Sequence, residues 1–441
     1  MTSPRNVISD FVHGLDYQGL PTTVQHQMRR CLLDLVGVAA AGSRTRLSRI
    51  MRDHAHRRGG GGPDAPRLLF DGRRVDAAQA AMANAATIDS LDGHDGHRLA
   101  KGHAGVAVLP AALAFLDGQA GRDTHDLIAA MAVGYEISLR AGLVLHDTTA
   151  DYHGSGAWNA LGAAAVGARL LALDTSATWH ALGIAEYTAP RAPVMRAIAH
   201  PTMVKDGSAW GAQAGVAAAL LAADGFTGAP AGLIGDPHLW ADLGYSWRCL
   251  EQYFKPWPVC RWAHPAVRAC VALATEYALR PDDIVDVHVT TFEEATRLST
   301  SVPETTEEAQ YSLSFAVAAA LATRELGPEV TLAAGAHPDT RRLMERIRVA
   351  RSPEMSAGFP AVRQADVRIG LSDGRILSSG PTTARGDPDD PLTDDELVSK
   401  FRSFTRKLDP IIALSLTGIL LEQAPRPLED LLPLLSGAAP I

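Results

Sequence analysis

A mostly α protein is predicted, with a large all-helical domain and a smaller α+β domain inserted near its C-terminal end. Three observations predict it. The first two-thirds of the chain is rich in Ala, Leu, Val and Gly at helical spacing. After Pro265 the pattern changes to Val- and Thr-rich alternation, the mark of strands. From about residue 393 helical patterning returns. At 441 residues the chain is also too long for one small core. The expected division is a helical domain over 1–265, an α+β domain over 266–400 and the rest of the helical domain over 401–441.

The elements follow in chain order. Residues 26–41 are amphipathic, with Met28, Leu32, Leu33, Leu35 and Val36 on one broad side. Residues 59–62 are four glycines and read as a loop; no Lys-Ser or Lys-Thr follows to make a phosphate cradle. Further helices are expected over 106–116, 126–143, 156–173 and 210–223. Their faces are mostly Ala and Gly, which lets helices pack at close range. Pro110 is expected in the first turn of its helix. Residues 283–292 read as a strand, and 365–378 as a hairpin turning at Ser372, Asp373 and Gly374. Helices are expected near 309–324 and 337–346. No internal repeat is found.

Composition excludes several classes. Hydrophobic residues make up 46% and charged residues 20%, a globular balance. The formal net charge is -8 and no basic stripe runs through the chain, so nucleic acid is not an expected partner. The start, MTSPRNVISDFVHG, lacks the pattern of a signal peptide. No apolar run is expected to span a membrane. Cys31, Cys249, Cys260 and Cys270 have no metal or redox spacing, and a reducing cytoplasm is the expected setting.

The densest polar cluster is DSLDGHDGHRLAKGHAG, residues 89–105. It holds Asp89, Asp92, Asp95, His94, His97, His103, Arg98 and Lys101, directly before an apolar helix. His103 then stands close to a helix N-terminus, a natural place for a carboxylate. The cluster fits an acid/base active-site loop. It also fits a metal site, with His94, His97 and His103 beside Asp92 or Asp95, and a solvated surface loop. A second site is DYHGSGAWNAL, where His153 precedes a Gly-Ser-Gly turn; alone, such a histidine fits a packed or capping role. A third holds Arg191, Arg196, His200 and Lys205. Lys205 is flanked by Met203, Val204, Gly207 and Trp210, so it is expected to be half buried and to need an anionic partner. The fourth is YFKPWPVCRWAH, where Lys255 lies at the expected domain boundary, or else is a solvated lysine on a packed linker.

The blocks NAATIDSLDGHDGH…KGHAGVAVLPAALAFLD, GYEISLR, YHGSGAWNALGAAAVGARLLALD, ALGIAEY, MVKDGSAWGAQAGVAAALLAADGFTG, FKPWPVCRWAHPAV, AQYSLSFAVAAAL and RGDPDDPLTDDELVSKF stand in the order typical of the MmgE/PrpD family. The chain resembles that family over nearly its whole length. Its members include 2-methylcitrate dehydratases, cis-aconitate decarboxylases and iminodisuccinate epimerases. The resemblance implies a helical domain, an α+β lid domain, a homodimer, a site between the domains, and neither metal nor organic cofactor. The implied substrate is a small di- or tricarboxylate. The implied chemistry is α-proton abstraction, foremost by a 2-methylcitrate dehydratase-like hydro-lyase, with decarboxylation or epimerisation as alternatives. A non-catalytic helical binding protein is a further alternative.

Carried over by position, the family's active-site aspartate is Asp92, in LDGHD where relatives often have LDFDD. Its histidines are His103 and His153, and its lysines Lys205 and Lys255. His103 and His153 are expected to move protons. Lys205 and Lys255 are expected to bind carboxylates and to stabilise the enolate-like intermediate. Asp92 is expected to orient a histidine or to act as base. Arg191, Asp95, Lys101 and Tyr311 are further candidates for binding substrate. Relatives that use a tyrosine in the block YSLSF place it where this chain has Phe315; Tyr311 is nearby.

Overall fold

The structure is a computed structural model that describes residues 4–235 and 237–437. It is mostly helical, as the spacing of its apolar residues predicts. One large core is built on the helices Thr22–Gly42, Ala77–Asp89, Gly105–Leu116, Thr124–Thr148, Gly156–Leu170 and Ser208–Ala223. Small residues allow the close packing that the sequence suggests. At Gly162 a Cβ would run into Ser138 Oγ and the Gly134 carbonyl of the neighbouring helix. Near the chain end Asp394–Thr405 packs back against Thr22–Gly42, and its start is fixed by a capping box of Thr393 and Glu396.

Two expectations are corrected. Thr124–Thr148 is long and apolar enough by composition to cross a membrane, although no such run was expected; its apolar window is 94% buried inside the protein, as a core helix. Pro110 lies inside the Gly105–Leu116 helix, one turn later than expected. There it supplies no N–H to the preceding turn.

The second core belongs to the α+β domain. Its sheet runs in the order Ile347–Arg351, Ile284–Thr291, Gln364–Leu371, Ile376–Ser378. The first pair is parallel and the others antiparallel. Parallel strands need a long crossover, here supplied by the helices Thr306–Gln310, Leu313–Thr323 and Pro338–Met344. Alternation buries Val287, Val289, Val367 and Ile369 on one face, and these share a core with the helices His264–Glu276 and Leu313–Thr323. The helix expected over 309–324 is broken at Tyr311 and Ser312, because Ser312 Oγ caps the second piece by accepting from Phe315 N–H at 3.1 Å. That break sends Tyr311 and Phe315 to different places.

Candidate active site

The loop after the Ala77–Asp89 helix is shaped by local anchors. Gly96–His97 pairs antiparallel with Gln252–Tyr253, which brings the 89–105 loop beside Lys255. His97 Nδ1 accepts from Ala100 N–H at 3.0 Å, and its Nε2 meets Glu251 Oε2 at 2.9 Å. His97 is therefore a pin for the loop. Gly96 lies beneath His103, where a Cβ would stand 2.6 Å from the Tyr253 hydroxyl and 2.7 Å from His103 Nδ1. Eight non-glycine residues have positive φ among the described residues, and three are Asp92 (49°), Lys101 (56°) and Lys205 (57°). Strain of this kind gathers at functional sites.

His103 is held on several sides. Its N–H donates to Ser155 Oγ at 3.0 Å, and its carbonyl accepts from Asn159 Nδ2 at 3.1 Å. Its Nδ1 lies 2.6 Å from the Asp95 carbonyl. A carbonyl only accepts, so the ring proton belongs on Nδ1 and Nε2 carries a lone pair. Burial, then His94 and Lys255, pushes the His103 pKa down to about 3, against the pull of Asp92 and Asp206. The ring is neutral at ordinary pH. His94 packs edge-on against it, 4.3 Å between centroids, and is likewise pushed down, to about 4, by burial and then Lys255.

Lys255 is 1% exposed and donates to Asp92 Oδ1 at 2.7 Å and to the Asp92 carbonyl at 2.9 Å. An ammonium has three donors, so one remains for a ligand. Burial works against the Asp92 carboxylate, but Lys255 and Lys205 outweigh it and hold it well below the usual range. Asp92 is thus a weak base, and its partner is a lysine rather than a histidine. Lys205 donates to Gln310 Oε1 and lies 4.6 Å from the centre of the Tyr311 ring. Gln310 in turn donates to the Ser90 carbonyl at 2.9 Å, which ties the lid to the loop.

A small cavity of about 50 Å³ opens between the two domains. Asp92, Lys101, His103 and Lys255 line it from the helical side, and Tyr311 from the lid. Of the four side chains expected to converge, His103 and Lys255 reach the cavity wall, and Lys205 stops behind Tyr311. The His153 ring does not reach it: its Nδ1 lies 2.9 Å from the Asp151 carbonyl, and the neighbouring Tyr152, Gly154 and Ser155 line the cavity instead. Asp95 turns its carboxyl into the helical core, where Tyr135 donates to it at 3.0 Å; only its carbonyl serves His103. Arg191 is exposed and pairs with Glu186 at 3.1 Å, away from the cavity. Phe315 is fully buried in the lid core, whereas Tyr311 supplies a phenol to the wall.

Sequence reasoning missed Asp206, Arg261 and Arg363, all on the wall. Asp206 Oδ1 accepts from Ser208 N–H at 3.1 Å and from its hydroxyl at 2.7 Å, at the start of the Ser208–Ala223 helix. Burial opposes its ionisation, but His103, Ser155 and Ser208 hold its pKa below the ordinary value. Its signal was present in the run Lys205, Asp206, Gly207, Ser208, a helix-start pattern. Arg363 had none, since it stands alone before a strand. Asp89, Asp92 and His94 each place one potential ligand atom within 4.8 Å of the others, the one such group among the described residues. Lys255 already donates to that Asp92 carboxylate, and the ammonium opposes a dication there. His97 is turned away to Glu251, so the three histidines do not share one centre.

The model of the MmgE/PrpD N-terminal domain matches residues 6–247, and that of the MmgE/PrpD C-terminal domain matches residues 257–411. The chain is 24% identical over 441 aligned positions to the cis-aconitate decarboxylase of Mus musculus, covering 90% of this chain and 86% of that one. It is 26% identical over 432 positions to the cis-aconitate decarboxylase of Homo sapiens, with the same coverage.

Proposed function

The chain belongs to the MmgE/PrpD family, and from that premise we propose that it is a metal- and cofactor-independent lyase acting on a small polycarboxylate by α-proton abstraction. The foremost reaction is dehydration of a hydroxy-tricarboxylate of the 2-methylcitrate type. The observation that carries the reading is His103, a neutral imidazole on the cavity wall with Nδ1 committed to a carbonyl and Nε2 free to accept a proton.

The chemistry needs three things: a base for the proton α to a carboxylate, an acid for the departing hydroxyl, and cations for the charge that builds between. His103 Nε2 is the base, a role typically worth roughly 10²–10⁴-fold. Burial holds the Tyr311 phenol well above its ordinary pKa, so it is a neutral O–H and serves as the acid. The spare donor of Lys255 faces the developing enolate-like carboxylate, and Asp92 keeps that ammonium fixed and charged. Prearranged charge of this kind requires little reorganisation during the reaction.

A second reading is favoured by the two relatives. Loss of carbon dioxide from an unsaturated tricarboxylate produces a related carbanion, and the same acid would quench it. Proton NMR in heavy water with a chelator present separates these readings. The panel holds hydroxy-tricarboxylates, unsaturated tricarboxylates and imino- or amino-dicarboxylates. Chelator-resistant loss of water is expected first. Release of carbon dioxide would give the decarboxylase, and exchange with inversion the epimerase. No turnover and no deuterium uptake with any of them would sink the lyase reading.

A further inference from the structure

Arg363 directly precedes the Gln364–Leu371 strand and brings a guanidinium from the lid to the cavity wall. The residue is 4% exposed. Its Nε and Nη1 are buried without a hydrogen-bond partner. Its Nη2 reaches the Arg98 carbonyl at 3.4 Å, a long contact. Among the described residues it has no carboxylate partner. Arg261 is the useful contrast. Both guanidiniums lie over the Tyr253 ring, at 4.6 Å for Arg261 and 5.7 Å for Arg363. Arg261 has Asp387 at 3.1 Å and donates to the Arg385 carbonyl at 2.8 Å. Each guanidinium leaves two nitrogens without a hydrogen-bond partner, but Arg261 has a carboxylate beside it and Arg363 has none among the described residues.

A buried cation without an anion is costly, and aromatic faces recover only part of that cost. Tyr253 and Phe359 supply such faces, at 5.7 and 5.9 Å. What is absent is an acceptor with two oxygens and a negative charge, the match for a planar guanidinium. Lys255, on the helical domain, already faces the same cavity with one donor to spare. A ligand with carboxylates at both places would join lid to helical domain.

We infer that Arg363 anchors a second carboxylate of the substrate, remote from the reacting carbon, and so selects polycarboxylates over monocarboxylates. This rests on the lyase reading above. It makes the arginine a binding residue whose charge the substrate completes.

Melting the full chain with and without propane-1,2,3-tricarboxylate or butanoate tests it, in wild type, Arg363→Met and Arg375→Met. Arg375 is an exposed lid arginine paired with Asp373 and serves as the control. Methionine keeps the apolar stem and removes the unpaired charge. Ligand-free Arg363→Met is therefore expected to melt at or above wild type, the reverse of what a packing role gives. The tricarboxylate should raise the Tm of wild type and Arg375→Met but not of Arg363→Met, and butanoate should raise none. On the polycarboxylate identified by turnover, Arg363→Met should raise KM roughly 10- to 100-fold, with a smaller change in kcat. An undiminished ligand shift in Arg363→Met, or a lower ligand-free Tm with KM unchanged, overturns the anchor alone. A wild type that neither binds the tricarboxylate nor turns over any polycarboxylate overturns the lyase reading and the anchor with it.

Discussion

The loop over 89–105 is gripped from two sides by two buried lysines, and the sides differ. Facing the cavity, Lys255 donates to Asp92 Oδ1 at 2.7 Å and to the Asp92 carbonyl. Facing the helical core, Lys400 donates to Asp34 Oδ1 at 2.5 Å and to the adjacent Gly93 carbonyl at 2.6 Å. Each lysine takes one carboxylate and one of two consecutive backbone carbonyls. Yet the charges diverge. Burial alone would lower the Lys255 pKa, but Asp92 holds it above the ordinary value, and Asp92 is fully ionised. On the core side burial lowers Lys400 and raises Asp34, and burial followed by Asp34 raises Asp95 to about 8. Cations around Asp92 hold that carboxylate ionised, whereas on the core side two acids are buried together and both are raised, Asp95 the further. One side is built to meet an anion and the other to hold the loop.

Three substitutions test that division hardest. His103→Ala should lower kcat by roughly 10²–10⁴-fold, with a Tm close to wild type, since the ring's one side-chain hydrogen bond is to the Asp95 carbonyl. Lys255→Met should come next, lowering kcat/KM by roughly 10²-fold or more through lost charge stabilisation. Lys400→Met should act on stability instead, by about 3 kcal/mol or more, because it strands Asp34. Urea unfolding reads that loss, and folded Lys400→Met should keep kcat within a few-fold. Equal loss of kcat in Lys255→Met and Lys400→Met, measured where both are folded, would erase the distinction.

The pH profile sharpens the cavity side. Burial and nearby cations hold His103 far below the ordinary histidine value, so free enzyme already carries the neutral base at neutral pH. The acid limb of kcat/KM, corrected for substrate ionisation, should lie well below pH 6.5. A limb at 6.5 or above would assign the base to another group.

The helical bundle was legible because its signal is local: period 3.6, small residues at contacts, a polar burst before an apolar run. The lid strands Ile284–Thr291 and Gln364–Leu371 were legible for the same reason. The short pair Gly96–His97 with Gln252–Tyr253 was not, since two residues carry no periodicity and their partners are far apart in sequence. At the candidate site, Asp92 and His103 stand in a dense polar cluster and Lys205 and Lys255 among apolar neighbours, but it was the match to family positions that singled the four out. Asp95 and His153 belong to the same motifs but point elsewhere, because spacing does not say which face of a loop a side chain takes. Arg363 shows the converse, since its role rests on an absent partner and no sequence pattern marks that.

The pH dependence of stability is the most direct reading of the core side. Asp95 has a folded pKa raised to about 8, against roughly 3.9 when unfolded. Between those values the folded protein holds a proton that the unfolded chain has lost, so stability falls as pH rises through that window. Asparagine cannot ionise and still accepts from Tyr135 through its amide oxygen. Asp95→Asn should therefore gain on wild type steadily from pH 5 to pH 8 in urea unfolding. Asp92→Asn should behave differently. The folded pKa of Asp92 lies below its unfolded value, so its contribution is present above about pH 4 and is lost only as pH falls further. Its cost should be flat from pH 5 to pH 8. A flat profile for Asp95→Asn would mean that Asp95 is ionised in the folded protein, and the core side would then be as charged as the cavity side.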